Sequence, residues 1–259
     1  MREVRIRKHV LTLYDSIENL PIVRYNKYTK YIMLEGAIGS EFGAFERHIE
    51  RVVRYIGMND TKKAVTELNN LRQSLYFGLN ETNMQHLSFA CLIHSIDGEE
   101  LQDLTDESLR QVIDKIGKWL PQSVLTDELH QSKKKIDGEL ALYFPKMVDT
   151  SGEKNYHAML HRRSELILQN IIEGKDRERT RKIDELSARM ITFSNPIEFT
   201  DDNNAEIRHE KNFEQSCVIM QRELHCSPKK YTVMEFYNAM EYLNSVANEQ
   251  KKKYKRGGK

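Results

Sequence analysis

Two histidines and two glutamates at four-residue spacing are the residues in this sequence best arranged for metal chemistry. Glu153, His157, His161 and Glu165 would lie along one face of a helix, and imidazole and carboxylate groups both bind zinc. The HExxH pattern with its catalytic glutamate is absent, and no third ligand is fixed by the sequence. A metal-dependent hydrolase using His157 and His161 is therefore a secondary hypothesis beside an ordinary polar helix face, and we predict no metal and no other cofactor.

No other arrangement of reactive residues indicates an enzyme. Cys91, Cys217 and Cys226 form an odd set without CxxC spacing, which is typical of small core residues in a reducing compartment. Gly36 and Gly39 do not match a phosphate-binding loop and predict a turn between helices instead. No GxSxG motif is present. We therefore predict that the protein is not an enzyme and has no catalytic residues.

The last nine residues form a strongly basic tail without acidic residues. Such a tail can contact phosphates in a salt-dependent manner, or it can remain solvated. Residues 24–31 also interleave tyrosines with cations, as single-strand binders do, although an amphipathic packing helix is the simpler interpretation. The predicted interaction residues are the basic ones of the tail: Lys251, Lys252, Lys253, Lys255, Arg256 and Lys259.

The composition limits the protein classes that are possible. The chain has 259 residues, a net charge of +1 and 31% charged residues, so no overall field attracts it to nucleic acid or membrane. No apolar run approaches the 18 residues of a membrane span, and the N-terminus has no signal-peptide pattern. Only 12 glycines and 5 prolines are present, which favours long helices joined by few turns.

The hydrophobic periodicity then predicts a mainly α fold, a multi-helix bundle-like architecture with a short N-terminal extended arm or strand. Ser40, Asp60 and Thr105 are predicted helix caps, and Thr232 with Glu235 forms a capping box. Gly57 is predicted to end a helix in the left-handed conformation. The predicted helices cover about 21–35, 42–56, 60–79, 84–96, 105–120, 126–144, 153–173, 175–191, 207–224 and the segment after Thr232, and Asp97-Gly98 is predicted to end the fourth of them in a turn.

A turn-rich segment between Pro145 and Gly152 predicts a domain boundary. The predicted organisation is an N-terminal arm at 1–20, a helical domain at 21–148, a second helical region at 149–250 and the basic tail at 251–259. In residues 175–191 the charges alternate in sign, which indicates a solvated or partner-facing helix. We expect such helices to set the register between subunits, and the apolar stripes of the other helices to hold each subunit together.

The N-terminal segment carries a resemblance to a known class of proteins. Residues 13–34, LYDSIENLPIVRYNKYTKYIML, followed by GAIGS at 36–40, resemble the opening of virion proteins from tailed bacteriophages of the crAss-like group. The similarity covers about the first fifty residues, together with the YTVMEFY segment at 231–237. No functional residue can be transferred from it.

The resemblance implies a noncatalytic structural component of the portal, neck ring or tail region, which acts by protein–protein assembly. Its location would be the virion, after assembly in the host bacterial cytoplasm. Its partners would be copies of itself, neighbouring virion proteins and packaged DNA through the basic tail, with no membrane. A phage cargo protein or a tail-assembly chaperone is the alternative.

Overall fold

The computed structural model is mainly α-helical with a small antiparallel sheet, so the predicted fold class is confirmed. It describes residues 1–39, 41–80, 83–147, 151–191, 193, 195–200 and 204–257, with backbone only at 151–154 and 251–257. In these residues the strands are β1 Arg2–Ile6, β2 His9–Leu13, β3 Ile93–Ile96 and β4 Glu99–Glu100. The helices are α1 Ile22–Ala37, α2 Phe42–Gly57, α3 Thr61–Leu79, α4 Met84–Leu92, α5 Asp106–Gly117, α6 Gln122–Tyr143, α7 Ser151–Ile172, α8 Arg177–Ile191, α9 Ala205–Leu224 and α10 Val233–Gly257.

The chain divides into two compact units, each assembled from separate stretches of sequence. Unit 1 comprises residues 1–35, 84–145 and 206–259, and unit 2 comprises residues 36–83 and 146–205. Unit 1 therefore contains the sheet, helices α4, α5, α6 and α10, and most of α1 and α9. Unit 2 contains α2, α3, α7 and α8. The predicted boundary at residue 148 stays a prediction, because residues 148–150 lie outside the described part of the chain.

The sheet of unit 1 is an antiparallel meander in the order β1, β2, β3, β4. Asp97 and Gly98 connect β3 to β4 with φ values of 53° and 86°, the positive values that favour Asp-Gly in a two-residue hairpin. The Asp97 carboxylate also accepts a hydrogen bond from the backbone N–H of Val10 at 2.9 Å. Leu11 and Leu13 of β2 are buried, so this edge of the core is formed by the N-terminal strands.

The predicted helix at 84–96 is wrong in its last four residues. Helix α4 ends at Leu92, and the chain continues directly as β3, which contains His94. Strand β3 pairs with β2, with Leu11 opposite Ile96 and Thr12 opposite Ser95. The backbone groups of these residues are satisfied by a strand some eighty residues away, and hydrophobic periodicity carries no signal for such a distant partner.

The N-terminus of α10 is attached to the segment before α1. Backbone hydrogen bonds join Ile22 N–H to the Tyr231 carbonyl and Val233 N–H to the Leu20 carbonyl, each at 2.9 Å. The capping box is confirmed: the Thr232 hydroxyl accepts from Glu235 N–H at 3.3 Å, and the Glu235 carboxylate accepts from Thr232 N–H at 2.8 Å. This doubly capped start fixes α10 to unit 1.

The other predicted helix ends have mixed outcomes. Asp60 caps α3 through Lys63 N–H, and Thr105 caps α5 through Ser108 N–H, as predicted. Gly57 is not the left-handed residue after α2, because Asn59 has the positive φ of 57°. Asparagine tolerates that conformation better than most residues. The predicted cap at Ser40 lies outside the described residues.

Candidate interaction surface

Helix α2 of unit 2 leaves most of its large apolar side chains exposed. Its buried side chains are Ala44, His48, Val52 and Tyr55. Its exposed side chains are Phe42, which is 73% exposed, with Ile49, Val53 and Ile56. An amphipathic helix normally packs its apolar stripe against the core. The stripe of α2 therefore lacks the cover that its composition requires.

Helix α3 has the same inversion. Its buried residues include Glu67, which is 0% exposed, and Ser74. The large apolar side chains point outward, and Leu79 is 85% exposed. The apolar side chains of α3 that are exposed are Val65, Leu68, Leu75, Tyr76 and Leu79.

A buried polar cluster determines which sides of these two helices face each other. His48 Nδ1 lies 2.6 Å from Glu67 Oε2, and His48 Nε2 lies 2.8 Å from the Ile38 carbonyl oxygen. Arg51 donates to Glu67 Oε1 at 3.1 Å. Burial, followed by the charge of Glu67, raises the pKa of the neighbouring Tyr55 phenol. A buried carboxylate requires such partners, so the helices cannot rotate their apolar stripes inward without leaving Glu67 unpaired.

Two further polar contacts hold α3 in the same orientation. The Asn70 side-chain amide donates to the Ile197 carbonyl at 2.9 Å, and the Ser74 hydroxyl donates to the Gly39 carbonyl at 2.7 Å. Gly39 has a φ of 64°, which supports the predicted turn between helices at this position. Glu67, Asn70 and Ser74 thus occupy one face of α3, and each has an inward partner.

The two apolar stripes face the same side of the hairpin. Helix α3 returns antiparallel to α2 after the short turn at 58–60, where Asp60 N–H donates to the Tyr55 carbonyl. In both helices the exposed stripe is rotated from the buried residues by about 120° in the direction of helix winding. For an antiparallel pair this places both stripes on one side. We call this surface the α2–α3 face, formed by Phe42, Ile49, Val53, Ile56, Val65, Leu68, Leu75, Tyr76 and Leu79.

The α2–α3 face is large enough for a stable protein interface. Its nine side chains are between 44% and 85% exposed, and at roughly 100 Å² each they present on the order of 900 Å². The largest apolar patch on a typical monomer covers about 300–600 Å², whereas a standard interface buries about 800 Å² on each partner. The surface therefore has the extent of a binding site.

An open groove of about 800 Å³ borders this face inside unit 2. It runs between α2 and α8, where Ile49 and Val53 lie across from Ala188 and Ile191. Arg189 and Glu185 line it as well. The groove extends the apolar surface beyond α2 and supplies charged groups at its edge.

Charged residues with no ion-pair partner among the described side chains lie on and beside the α2–α3 face. Arg72 is exposed and lies within the stripe of α3, between Leu68 and Leu75. Glu46 and Glu50 are exposed along the edge of the stripe of α2. A partner that covers the apolar residues must also provide an anion for Arg72.

The predicted metal candidates do not form a metal site in the described residues. His161 is 80% exposed on α7 and pairs with Glu165 at 3.2 Å, and His157 is exposed on the same helix. The Glu153 side chain is outside the described part. Among the residues that the structure describes, no three histidine, cysteine, aspartate or glutamate side chains form a group able to hold a metal ion.

The environments of the three cysteines indicate structural roles. Cys91 and Cys217 are buried, and burial raises the pKa of both thiols, to about 12 for Cys91. Cys226 donates to the Met220 carbonyl at 3.7 Å. The thiolate is the reactive form of cysteine, so Cys91 and Cys217 are poorly suited to nucleophilic chemistry.

The basic tail continues α10 as helix up to Gly257. The side chains of Lys251, Lys252, Lys253, Lys255 and Arg256 are not described, and Lys259 lies outside the described residues. Their role in binding stays a prediction.

The aromatic and basic residues of α1 are used inside unit 1. Arg24 is buried and donates to the Ile93 carbonyl at 2.9 Å, and Lys30 pairs with Glu206 at 2.9 Å. Tyr31 is buried and donates to Asp106 at 2.8 Å. These contacts support the packing interpretation of this segment, because its cations and rings are already engaged.

The charges of α8 pair mainly along the helix itself. Glu178 and Lys182 are 2.9 Å apart, and Arg181 and Glu185 are 3.5 Å apart, each at i,i+4 spacing. Ala188 is buried, and the hairpin with α7 is closed by Gly174, which has a φ of 89°. The predicted role of α8 in setting the register between subunits stays a prediction.

The expectation that apolar stripes hold each subunit together is wrong for most of the large apolar residues of α2 and α3, which face outward, whereas Val52 of α2 is buried. Periodicity shows that a helix is amphipathic, but it does not say which side of the helix is covered. The missed signal is the second stripe on α3, where Ala64, Glu67, Asn70 and Ser74 recur at helical spacing with small or polar side chains.

Comparison of the chain with protein-family models, with curated proteins and with solved structures found no match. Within the described residues, none of the helices combines the length and the apolar character needed to cross a membrane.

Proposed function

We propose that this chain is a noncatalytic structural component of a tailed-bacteriophage virion, in the portal, neck or tail region, and that it acts by protein–protein assembly. The observation that carries the proposal is the outward apolar α2–α3 face, whose polar inner side is fixed by His48 and Glu67. Exposed apolar surfaces of this size mark interaction sites in proteins.

The virion is favoured over other assemblies by the resemblance of residues 13–40 to virion proteins of crAss-like phages. On this proposal, assembly takes place in the host bacterial cytoplasm, and the neighbours are other virion proteins and copies of the same chain. The basic residues at 251–259 would contact packaged DNA or an acidic neighbour.

Quantitative mass spectrometry of purified phage particles tests the proposal. We expect the chain in many copies at a fixed ratio to the portal protein. Its absence from particles, combined with its presence in assembly intermediates, would contradict a structural role and would favour a tail-assembly chaperone. Release together with the genome would favour a cargo protein.

A pair of phage-encoded variants tests the surface. Leu68→Glu places a carboxylate on the α2–α3 face, whereas Leu142→Glu makes the same change on α6 of unit 1, where Leu142 is 75% exposed. We expect the first variant to be lost from particles and the second to be incorporated normally. Normal incorporation of both would contradict the use of this face in assembly.

A further inference from the structure

We propose that the α2–α3 face binds the same face of a second copy of this chain, across a two-fold axis. This inference rests on the proposed function, since it names the partner at the surface through which the protein assembles. The evidence for a copy of the same chain comes from the spacing, the charges and the size of the face.

The spacing of the residues on α3 fits a partner helix of the same kind. Val65, Leu68, Arg72, Leu75 and Leu79 recur in alternate steps of three and four residues. This is the 3.5-residue repeat with which two helices pack along a common seam. The exposed apolar residues of α2, which are Phe42, Ile49, Val53 and Ile56, follow one another at steps of seven, four and three residues. The chain thus carries two neighbouring seams on one surface.

The charged residues on and beside the α2–α3 face also favour a second copy as the partner. Arg72 interrupts the seam of α3 and has no ion-pair partner among the described side chains. Covering the seam with a purely apolar helix would bury this guanidinium without an anion, which is costly. Helix α2 carries Glu50 beside its own apolar stripe, and Glu50 also has no ion-pair partner among the described side chains. A second copy therefore supplies both the apolar cover and the carboxylate that Arg72 requires.

A two-fold axis satisfies both copies at once. When α3 of one copy lies on α2 of the other, the symmetry repeats the same contact in the opposite direction. Each Arg72 then meets the Glu50 of the other copy, and the two charge pairs form without a third component. The roughly 900 Å² offered by each copy matches the area that a standard interface buries on each partner.

Sedimentation equilibrium of the purified full-length chain tests the dimer. We expect a mass of about 61 kDa, twice the 30.5 kDa of one chain. Leu68→Glu and Leu75→Glu should each raise the dissociation constant by about 100-fold or more, because the symmetry introduces every carboxylate twice. Leu142→Glu, which is exposed on α6, is the matched control and should leave the mass unchanged. Far-UV circular dichroism verifies that each variant is folded.

Charge reversal tests the proposed pair. Arg72→Glu and Glu50→Arg should each weaken the dimer by about tenfold, and the double variant should recover to within about threefold of the wild type. Arg110→Glu, at an exposed position on α5, is the control for a change of charge alone. Recovery in the double variant is the result that a general change in folding cannot produce.

Three results would overturn the inference: a wild-type mass of 30.5 kDa at concentrations up to about 100 μM, a dimer that Leu68→Glu and Leu75→Glu leave intact, or a double reversal that is no tighter than the single ones. A monomer that is nevertheless abundant in phage particles would refute this dimer and leave the proposed function standing. A dimer that is absent from particles and from assembly intermediates would refute the proposed function and leave this dimer standing.

Discussion

Replacing Glu67 by alanine should destabilise unit 2 more than any surface substitution. Glu67 is fully buried, and it accepts from His48 at 2.6 Å and from Arg51 at 3.1 Å. Glu67→Ala leaves His48, which is also buried, without its carboxylate partner, and removal of one member of a buried pair costs about 3–5 kcal/mol. Arg51 is partly exposed and can turn to water, so we place the cost at the lower end, about 3 kcal/mol.

Native-state hydrogen exchange with mass spectrometry is the appropriate assay, because it reports stability segment by segment. Wild type and variant are compared at one protein concentration, since association also contributes to apparent stability. The loss of protection should be confined to unit 2 and be greatest in residues 42–79. Glu185→Ala is the matched control: Glu185 is an exposed glutamate that pairs with Arg181 at 3.5 Å, and its loss should cost at most about 0.5 kcal/mol.

A double substitution distinguishes the loss of the whole His48–Glu67 pair from the cost of leaving one member without its partner. Replacing both His48 and Glu67 by leucine removes the two polar groups together, and such replacements are often close to neutral. We expect the double variant to be more stable than Glu67→Ala. A cost below about 1 kcal/mol for Glu67→Ala, or a loss of protection outside unit 2, would refute the view that this cluster fixes the orientation of α2 and α3.

Four further predictions concern local features of unit 1. Gly138→Ala in α6 should raise the free energy of unfolding by about 0.5–1 kcal/mol, because an added Cβ meets nothing within 4 Å. Gly98→Ala should lower the free energy of unfolding by about 1 kcal/mol or more, because the φ of 86° is unfavourable for alanine. Urea unfolding should show opposite changes in stability for the two glycine variants, and changes of equal sign would contradict the backbone argument. Thr232→Ala should cost about 1 kcal/mol by removing one half of the capping box, and unchanged hydrogen exchange at the start of α10 would contradict this. Burial raises the pKa of the Asp106 carboxyl, but hydrogen bonds from Lys27 and Tyr31 outweigh burial and hold this pKa below the ordinary 3.8. The Asp106 carboxylate therefore stabilises the fold above about pH 4, and this stabilisation is lost as the pH falls. Asp106→Asn should flatten the fall of the melting temperature between neutral and acidic pH, and an equally steep fall would contradict the assignment.

The sequence predicted local features well, because their causes are local. The caps at Asp60, Thr105 and Thr232 each depend on a side chain and a backbone group three residues apart. Helix periodicity likewise needs only the order of residues within one segment.

Features that depend on distant partners could not be predicted in this way. Residues 93–96 became a strand because Ile93, Ser95 and Ile96 pair with residues of β2 across the sheet. The candidate site had the same limitation: the stripes on α2 and α3 were visible, yet their outward orientation follows from the buried contacts of Glu67, Asn70 and Ser74 with His48, Ile197 and Gly39. A stripe in the sequence shows that a helix is amphipathic, and only the fold shows which side remains uncovered.

The proposed function requires that the α2–α3 face is covered by protein when the molecule functions. Hydroxyl-radical footprinting of the native full-length chain measures this side chain by side chain. We predict that Ile49, Leu68 and Leu75 react slowly at high protein concentration and faster on dilution, while Leu142 reacts fast throughout. Equal and concentration-independent reactivity of all four side chains, in the free protein and in purified particles, would contradict the account.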